Sequence, residues 1–142
     1  MKELLQQTEL IIKKYGENLT ALLQARGLDV TKDQWKIINY LSKNNGANQK
    51  QVAAGTQKDP AALTRMLDLM VEKNLLQRKT SKQDRRSFDI FLTVDGSRLA
   101  SRFAPIENEL IATMFYNVSD AKITASQKIA QQLIENLSSD KK

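Results

Sequence analysis

The sequence predicts a mainly α-helical fold with one small antiparallel β-hairpin. Six segments carry apolar residues at helical three- and four-residue spacing. Two short extended runs, Leu75–Thr80 and Phe88–Thr93, follow the fourth segment and enclose a polar, cationic loop, Ser81–Ser87. A helix followed by a hairpin with a basic tip is the arrangement of a winged helix-turn-helix, which fits a DNA groove and its flanking phosphates.

The first two helices are defined by their apolar stripes and end signals. A long helix over residues 3–25 has one apolar face, formed by Leu5, Ile12, Tyr15, Leu19 and Leu22. Gly27 suits the left-handed position after its end. Thr31 or Asp33 caps a second helix that reaches about Lys43.

The next two helices form the predicted helix-turn-helix. A short helix over residues 48–55 turns Val52 and Ala53 inward, and residues 55–58 make the turn. The recognition helix then runs to about Lys73. Its start is marked by Asp59, a good N-cap, and by Pro60 at the first helical position. Its buried face is formed by Leu63, Leu67 and Met70.

Two further helices follow the hairpin. An apolar stripe begins after Gly96 and keeps its phase across Pro105, so we expect one helix with a kink near 101–105. Its members are Leu99, Phe103, Ile106, Leu110 and Met114. Ser119 caps a last helix from Asp120 to about Leu137, and residues 138–142 are expected to fray.

The terminal helices predict an assembly of two chains. Their stripes need partners, and a single small chain would struggle to cover both ends, so we infer that two copies intertwine there. The predicted division is an N-terminal dimerisation helix (1–30), a DNA-binding winged helix-turn-helix (31–96) and C-terminal dimerisation helices (97–142).

Composition narrows the function. The 142 residues include no cysteine and no histidine, which excludes thiol redox sensing, disulfides, zinc sites with such ligands and histidine acid–base catalysis. The net charge is +6, and residues 56–87 hold eight cationic against four acidic side chains. This favours nucleic acid as the partner. No membrane span or signal peptide is evident, so we expect the protein in the cytoplasm.

The ordered set of short motifs resembles the MarR family of bacterial transcription regulators over almost the whole chain. The matching motifs are Thr31-x-x-Gln34-Trp35, Gln49-x-x-Val52-Ala53, Leu63-Thr64-Arg65-Met66-Leu67-Asp68, Leu75-x-x-Arg78, Asp84-x-Arg86 and Leu92-Thr93-x-x-Gly96. Two departures stand out: Asn74 replaces a usual glycine but also tolerates the left-handed conformation, and Gln51 stands where an acid is common.

The resemblance implies a homodimer that binds double-stranded DNA. Each subunit would place one recognition helix in a major groove and its wing in the adjacent minor groove, on a pseudo-palindromic operator with half-sites about one helical turn apart. It implies a transcriptional regulator, more often a repressor. Neither the resemblance nor the residues imply a metal, a cofactor or a catalytic residue.

In the wing, Arg86 is the first candidate for DNA contact. A narrow minor groove is strongly negative and holds an inserted guanidinium. Asp84 would orient an arginine or brace the loop. Lys82 and Arg85 would contact phosphates, which adds salt-dependent affinity without sequence preference. The alternative is a solvated hairpin tip without a DNA role.

On the recognition helix, the predicted groove-facing side chains are Ala61, Ala62, Thr64 and Arg65. Arg65 can bond to guanine O6 and N7, or it can simply pair with Asp68 three residues on. The two alanines either touch thymine methyl groups or provide clearance. Lys58 and Lys50 are predicted phosphate contacts, with ordinary solvated lysines as the alternative.

Aromatic residues offer a ligand hypothesis and a simpler one. Similar dimers often bind small aromatic anions between the winged region and the dimer helices, and here that region would involve Tyr15, Trp35, Tyr40 and Phe103. At helical spacing such residues more often form core, with Trp35 as a buried anchor between helices.

Two other functions compete with DNA reading as interpretations of this sequence. One is a winged-helix protein-interaction module that does not read DNA. The other is a small enzyme, which the absence of a phosphate-binding glycine loop or a close acid–base pair disfavours.

Overall fold

The fold, taken from a computed structural model that describes residues 1–138, is mostly helical with a small antiparallel sheet, as predicted. In chain order the elements are α1 (Lys2–Ala25), α2 (Lys32–Lys43), β1 (Ala47–Asn48), α3 (Gln49–Thr56), α4 (Pro60–Glu72), β2 (Leu76–Thr80), β3 (Phe88–Leu92), α5 (Val94–Met114) and α6 (Asp120–Ser138). Two compact units divide the chain, one from Met1 to Leu110 and one that starts at Ile111. The predicted three-part functional division stays a prediction.

The core of the first unit collects side chains from most of its elements. Leu23 of α1, Ile38 of α2, Leu67 of α4, Ile90 of β3 and Phe103 of α5 are each at most 1% exposed. Burying one such side chain stabilises a fold by about 1.5–3 kcal/mol. The whole predicted inner face of α4 is buried, and this anchors the helix from one side only.

Helix α1 changes character along its length. Its second half joins the core through Leu19 and Leu23, both 1% exposed. Its first half leaves five large apolar side chains at least half exposed, namely Leu4, Leu5, Leu10, Ile11 and Ile12. The apolar stripe predicted from the sequence is therefore real, but this chain covers only part of it.

The sheet has one strand more than the predicted hairpin. Strands β2 and β3 pair antiparallel, with Arg78 opposite Ile90, and β1 pairs antiparallel with the other edge of β3. The Gly46 amide donates to the Ile90 carbonyl at 2.8 Å, and the Leu92 amide donates to the Asn45 side chain at 2.9 Å. A two-residue strand formed by pairing across more than forty residues has no period to detect, which is why the hairpin prediction was incomplete.

Reciprocal caps begin α2 and α3. The Thr31 hydroxyl accepts from the Gln34 amide at 3.1 Å, while the Gln34 side chain accepts from the Thr31 amide at 3.2 Å. Thr31, not Asp33, is therefore the cap of α2. Asn48 and Gln51 make the same exchange at 2.9 Å in both directions. Each exchange satisfies two amides that the first helical turn leaves without partners.

Left-handed residues end three helices. Gly27 (φ 66°) and Asn74 (φ 57°) adopt this conformation after α1 and α4, as expected. Gln57 (φ 53°) does so at the end of α3, in the turn of the helix-turn-helix. A glutamine at such a position is uncommon, and no sequence pattern indicated it.

Thr93 and Gly96 join the hairpin to α5. The Thr93 hydroxyl donates to the Asn74 carbonyl at 2.6 Å and accepts from the Gly96 amide at 3.0 Å, while the Thr93 amide donates to the Leu75 carbonyl at 3.1 Å. A Cβ added to Gly96 would lie 2.1 Å from the Leu75 carbonyl oxygen. Only glycine allows this close approach, which explains the spacing of the Leu92-Thr93-x-x-Gly96 motif.

Helix α5 continues through Pro105 without interruption, and the predicted kink stays a prediction. The second unit contains the end of α5 and all of α6, which starts at Asp120 as predicted. None of the α6 side chains is buried. Its exposed apolar residues are Ile129, Leu133, Ile134 and Leu137. The predicted fraying concerns residues that, beyond Ser138, lie outside the described part of the chain.

Candidate nucleic-acid interface

The N-terminal turn of α4 is exposed to solvent. The Asp59 carboxylate accepts from the Ala62 amide at 3.0 Å, and Pro60 occupies the first turn. Because the inner face is buried in the core, the opposite face is open. Among the predicted groove-facing residues, Ala61, Thr64 and Arg65 are exposed and Ala62 is half-buried. Small side chains at this end allow a close approach to another surface.

Arg65 and Asp68 do not pair with each other. Asp68 instead accepts from Arg78 of β2 at 2.6 Å, which ties α4 to the hairpin. Within residues 1–138 the structure gives Arg65 no ion pair, so its guanidinium remains available. The sequence suggested the i, i+3 pair because that spacing is visible along a helix, whereas the Arg78 partner comes from another element.

Thr64 is exposed but already hydrogen bonded. Its hydroxyl donates to the Pro60 carbonyl at 2.9 Å and accepts from the side-chain amide of Gln49. This contact joins the two helices of the helix-turn-helix. Gln49 belongs to a motif noted in the sequence, but no pattern indicated its partner.

The wing is a compact loop that presents three cations. The Ser81 amide donates to the Ser87 carbonyl at 3.0 Å and closes the loop at its base. The Asp84 carboxylate accepts from the Arg86 amide at 2.9 Å. The backbone carbonyl of Asp84 accepts from the Ser87 amide at 3.0 Å. Asp84 thus braces the backbone turn and makes no arginine side-chain pair within the described residues.

The cations of the wing are free of acidic partners. Lys82, Arg85 and Arg86 are exposed, and no ion pair involves them in the described part of the chain. Phe88, at the foot of the wing, is 49% exposed and was not predicted as a surface residue. An open groove separates the wing from α3 and α4; Asn48, Lys50, Pro60, Arg86 and Phe88 line it.

The two other predicted phosphate contacts differ from each other. Lys50 is exposed on α3. Lys58 is only 14% exposed and lies 3.0 Å from the Asp33 carboxylate. The hydrogen bond from Lys58 holds the pKa of Asp33 below its ordinary value, with Lys36 and Lys32 adding to the effect. Lys58 is therefore already paired, which the sequence did not indicate.

Three of the four aromatic residues considered for a ligand lie together: two of them bond to one carboxylate, and the third stacks on one of these two. The rings of Trp35 and Phe103 stack with centroids 3.3 Å apart. Tyr15 Oη and Trp35 Nε1 both donate to Glu107 Oε1, at 2.9 and 3.3 Å. Burial, and then Glu107, raises the pKa of Tyr15 to about 12. Trp35 and Phe103 are at most 4% exposed, so this cluster is packed core, and the buried-anchor reading of Trp35 describes it.

Tyr40 lies elsewhere, against the turn of the helix-turn-helix. A Cβ added to Gly55 would lie 2.0 Å from Tyr40 Cε2, so the ring covers the backbone there.

Residues 1–138 contain no cluster of three or more acidic side chains that could hold a metal ion. None of the helices within that range is both long and apolar enough to cross a bilayer.

Comparison with known proteins agrees with this geometry. A sequence model of the MarR family matches residues 22–87. The chain is 24% identical over 132 residues to YhbI of Bacillus subtilis, an uncharacterized HTH-type transcriptional regulator, covering 93% of this chain and 84% of the relative. It is 21% identical over 142 residues to MdtR, an HTH-type transcriptional repressor of the same organism, covering 100% of this chain and 90% of MdtR.

Solved structures share the fold. A mutant MarR from E. coli complexed with operator DNA superposes with a TM-score of 0.84 at 20% identity, covering 92% of this chain and 93% of that one. A MarR transcriptional regulator from Methanosarcina mazei Go1 gives a TM-score of 0.83 at 18% identity, covering 96% of this chain and 99% of that one.

Proposed function

Because this chain belongs to the MarR family of transcriptional regulators, we propose that it is a DNA-binding repressor that acts as a homodimer on a pseudo-palindromic operator. One observation carries the proposal. An open, small-faced helix end with an unpaired Arg65 lies in the same winged helix-turn-helix as three unpaired wing cations. Together they suit a major groove and the phosphates beside it.

The N-terminal turn of α4 reads the major groove in this proposal. Arg65 bonds to guanine O6 and N7, the commonest specific protein–DNA contact. Ala61 and Ala62 let the helix approach the bases and can touch thymine methyl groups. Thr64, held by Gln49, keeps the position of α4 relative to α3 constant while the helix is in the groove.

The wing and the lysines supply the contacts to the backbone. Arg86 enters the minor groove, positioned by the turn that Asp84 closes. Lys82, Arg85 and Lys50 contact phosphates. Lys58 contributes only if a phosphate competes with Asp33, so we expect it to add less than the other lysines.

The exposed apolar faces support the homodimer. The first half of α1 and the second half of α6 each leave several large aliphatic side chains in water, and exposed apolar patches are typical of interfaces. A second copy covering these faces would present two recognition helices with two-fold symmetry. Half-sites about one helical turn apart then follow from geometry.

Repression in this scheme is steric, because a dimer that covers a promoter excludes the transcription machinery. The similarity to MdtR, which is named a repressor, favours repression over activation.

A small aromatic inducer would have to bind one dimer geometry more tightly than the other in order to shift the population of dimer conformations. The cluster of Tyr15, Trp35 and Phe103 fills its own space, so such a ligand would need to displace packed side chains. A regulator that acts on DNA in this way works in the cytoplasm.

The test starts with DNA selection from a random pool by the purified full-length protein. Recovery of an inverted repeat is expected. Titration of the recovered duplex should then show log K falling linearly with log salt concentration. Arg65→Ala should cost about 1–3 kcal/mol and relax preference at one position of each half-site, and Arg85→Ala should lower the salt slope by about 1.

The matched control is Lys73→Ala, since Lys73 lies at the opposite end of α4 and pairs with Asp29 at 3.4 Å. Its affinity should equal that of the wild type. A protein-interaction module without DNA reading predicts that Arg85→Ala and Arg86→Ala also leave DNA affinity unchanged, and that result would replace the proposal.

A further inference from the structure

A second basic surface lies at the other end of α3 from the wing. A shallow concavity between α2 and the helix-turn-helix turn is lined mainly by polar side chains, none of them acidic. We call it the α2 basic surface; it comprises Lys36, Asn39, Lys43 and Gln57, with Tyr40 and Thr56 at its floor. The function proposed above does not use it.

The two lysines of this surface lie on the same face of α2, and neither belongs to an ion pair with another described residue. Lys36 and Lys43 are seven residues apart on α2, so they lie on one face about 10 Å apart along the axis. Both are exposed, and no ion pair involves them within residues 1–138. The nearest acid along the helix, Asp33, is already bonded to Lys58. Asp33 interacts with Lys36 as well as with Lys58, but no acidic side chain of residues 1–138 lines the concavity itself.

Gln57 adds a polar group held in an unfavourable backbone conformation. Its φ of 53° would be unstrained for glycine, yet the chain places an exposed glutamine there. Its side chain makes no hydrogen bond with any described residue. Non-glycine residues in strained backbone conformations cluster at functional sites. The exposed side-chain amide of Gln57 is therefore a candidate group for binding a ligand.

The location of Gln57 connects this surface to DNA. It lies two residues before Asp59, which caps the end of α4 that would enter the major groove. The groove lined by Lys50 and Arg86 lies at the N-terminal end of α3, and the α2 basic surface lies at its C-terminal end. A duplex seated on the start of α4 would pass both.

We propose that the α2 basic surface binds DNA backbone phosphates that the wing does not reach. These phosphates belong to the same duplex that the wing contacts. The inference rests on the DNA binding proposed above and extends it. Lys36 and Lys43 neutralise phosphates, and the Gln57 amide donates to a phosphate oxygen beside them. The α2 basic surface thereby widens the phosphate contact area beyond the helix-turn-helix and wing.

Ethylation interference on the selected duplex tests this directly. The probe is the end-labelled duplex with single phosphates neutralised, bound by full-length protein. The wild type should show separate clusters of interfering phosphates. Lys36→Ala combined with Lys43→Ala should lose one cluster and lower the salt slope by about 2, with base preference unchanged. Arg85→Ala should lose a different cluster, and Lys73→Ala should lose none.

Gln57→Gly separates a binding role from a structural one. Glycine relieves the left-handed backbone, so the thermal midpoint should stay equal or rise, while DNA affinity should fall. A residue that only shapes the turn would not lose affinity when the turn becomes more stable.

The outcomes distinguish this inference from the function it rests on. An interference pattern identical to the wild type in the double lysine variant would overturn the inference but leave DNA binding intact. A surface that serves an acidic protein partner would give that same result. Failure of the wild type to select or bind any duplex would instead overturn the proposed function.

Discussion

The two halves of α1 present the same kind of side chain to different surroundings. Leu19 and Leu23 are 1% exposed, whereas Leu5 and Ile12 are 61% and 63% exposed. Helix α6 resembles the first half, since none of its side chains is buried. The winged region is thus supported by a core of its own chain, whereas the start of α1 and the apolar side of α6 are left exposed by this chain. Stability and association should therefore respond to different substitutions.

The largest expected effect is on association. Ile129→Lys with Leu133→Lys introduces two charges on the exposed apolar face of α6. Each aliphatic side chain contributes about 1.5–3 kcal/mol when buried, so the dimer dissociation constant should rise at least about a hundredfold. Sedimentation velocity over a concentration series measures this.

The control places the same charges elsewhere on the helix. Ala121→Lys with Thr124→Lys adds two lysines on the side of α6 away from its exposed apolar residues. This variant should associate like the wild type. Equal association of both double variants would show that the apolar face of α6 is not the dimer interface.

The next effect concerns the core of the winged region. Leu67 is 0% exposed and Leu69, two residues on, is 52% exposed. Leu67→Ala should lower the free energy of unfolding by about 2–5 kcal/mol, because it leaves a cavity, and Leu69→Ala by no more than about 0.5 kcal/mol. Urea denaturation at one fixed protomer concentration compares them. Similar losses would contradict the burial of the inner face of α4.

A smaller effect marks the point where α1 docks on its own chain. The pKa of Tyr15 is raised from 10.0 to about 12. A raised folded-state pKa means that the stabilisation is complete below about pH 10 and is lost as the pH rises through 12. Ultraviolet difference absorbance should show a tyrosine that ionises only near pH 12, here called the late phenolate. Tyr15→Phe should abolish this signal.

Tyr116→Phe is the matched control, since Tyr116 is 77% exposed. That variant should retain the late phenolate, and the pH dependence of its unfolding should equal that of the wild type. Loss of the late step in Tyr116→Phe instead would assign the raised pKa to the wrong residue.

The smallest effect is expected at the surface pair between α4 and β2. Asp68 and Arg78 have side chains 53% and 25% exposed, and partly exposed pairs contribute about 0–1 kcal/mol. Asp68→Asn should lower the urea midpoint slightly, and Arg65→Ala should not change it. A loss as large as that of Leu67→Ala would mean that the pair anchors the hairpin.

Much of this fold could be predicted from local signals. The inner face of α4, its Asp59 cap and the hairpin all follow from spacing and residue type within a short window. The departure at Gln51 also proved informative, because its side chain completes the cap of α3. These features depend on neighbours in sequence, which a single chain reveals.

The rest depends on partners that are distant in sequence. The Arg78 partner of Asp68, the Lys58 partner of Asp33 and the shared acceptor Glu107 each lie on another element. The same holds for β1, which exists only because β3 lies beside it. Which cations are free for DNA could therefore be judged only after the fold brought the competing carboxylates into place.

The junction at Thr93 has a mechanical consequence. One hydroxyl and one amide fasten the end of the hairpin to the segment after α4, and the bare backbone of Gly96 presses against the same segment. These contacts restrain movement between the hairpin and the start of α5. A reorientation of the start of α5 should therefore move the hairpin with it. Because the wing lies at the far end of the hairpin, a small rotation at the junction would displace the wing cations by a larger distance.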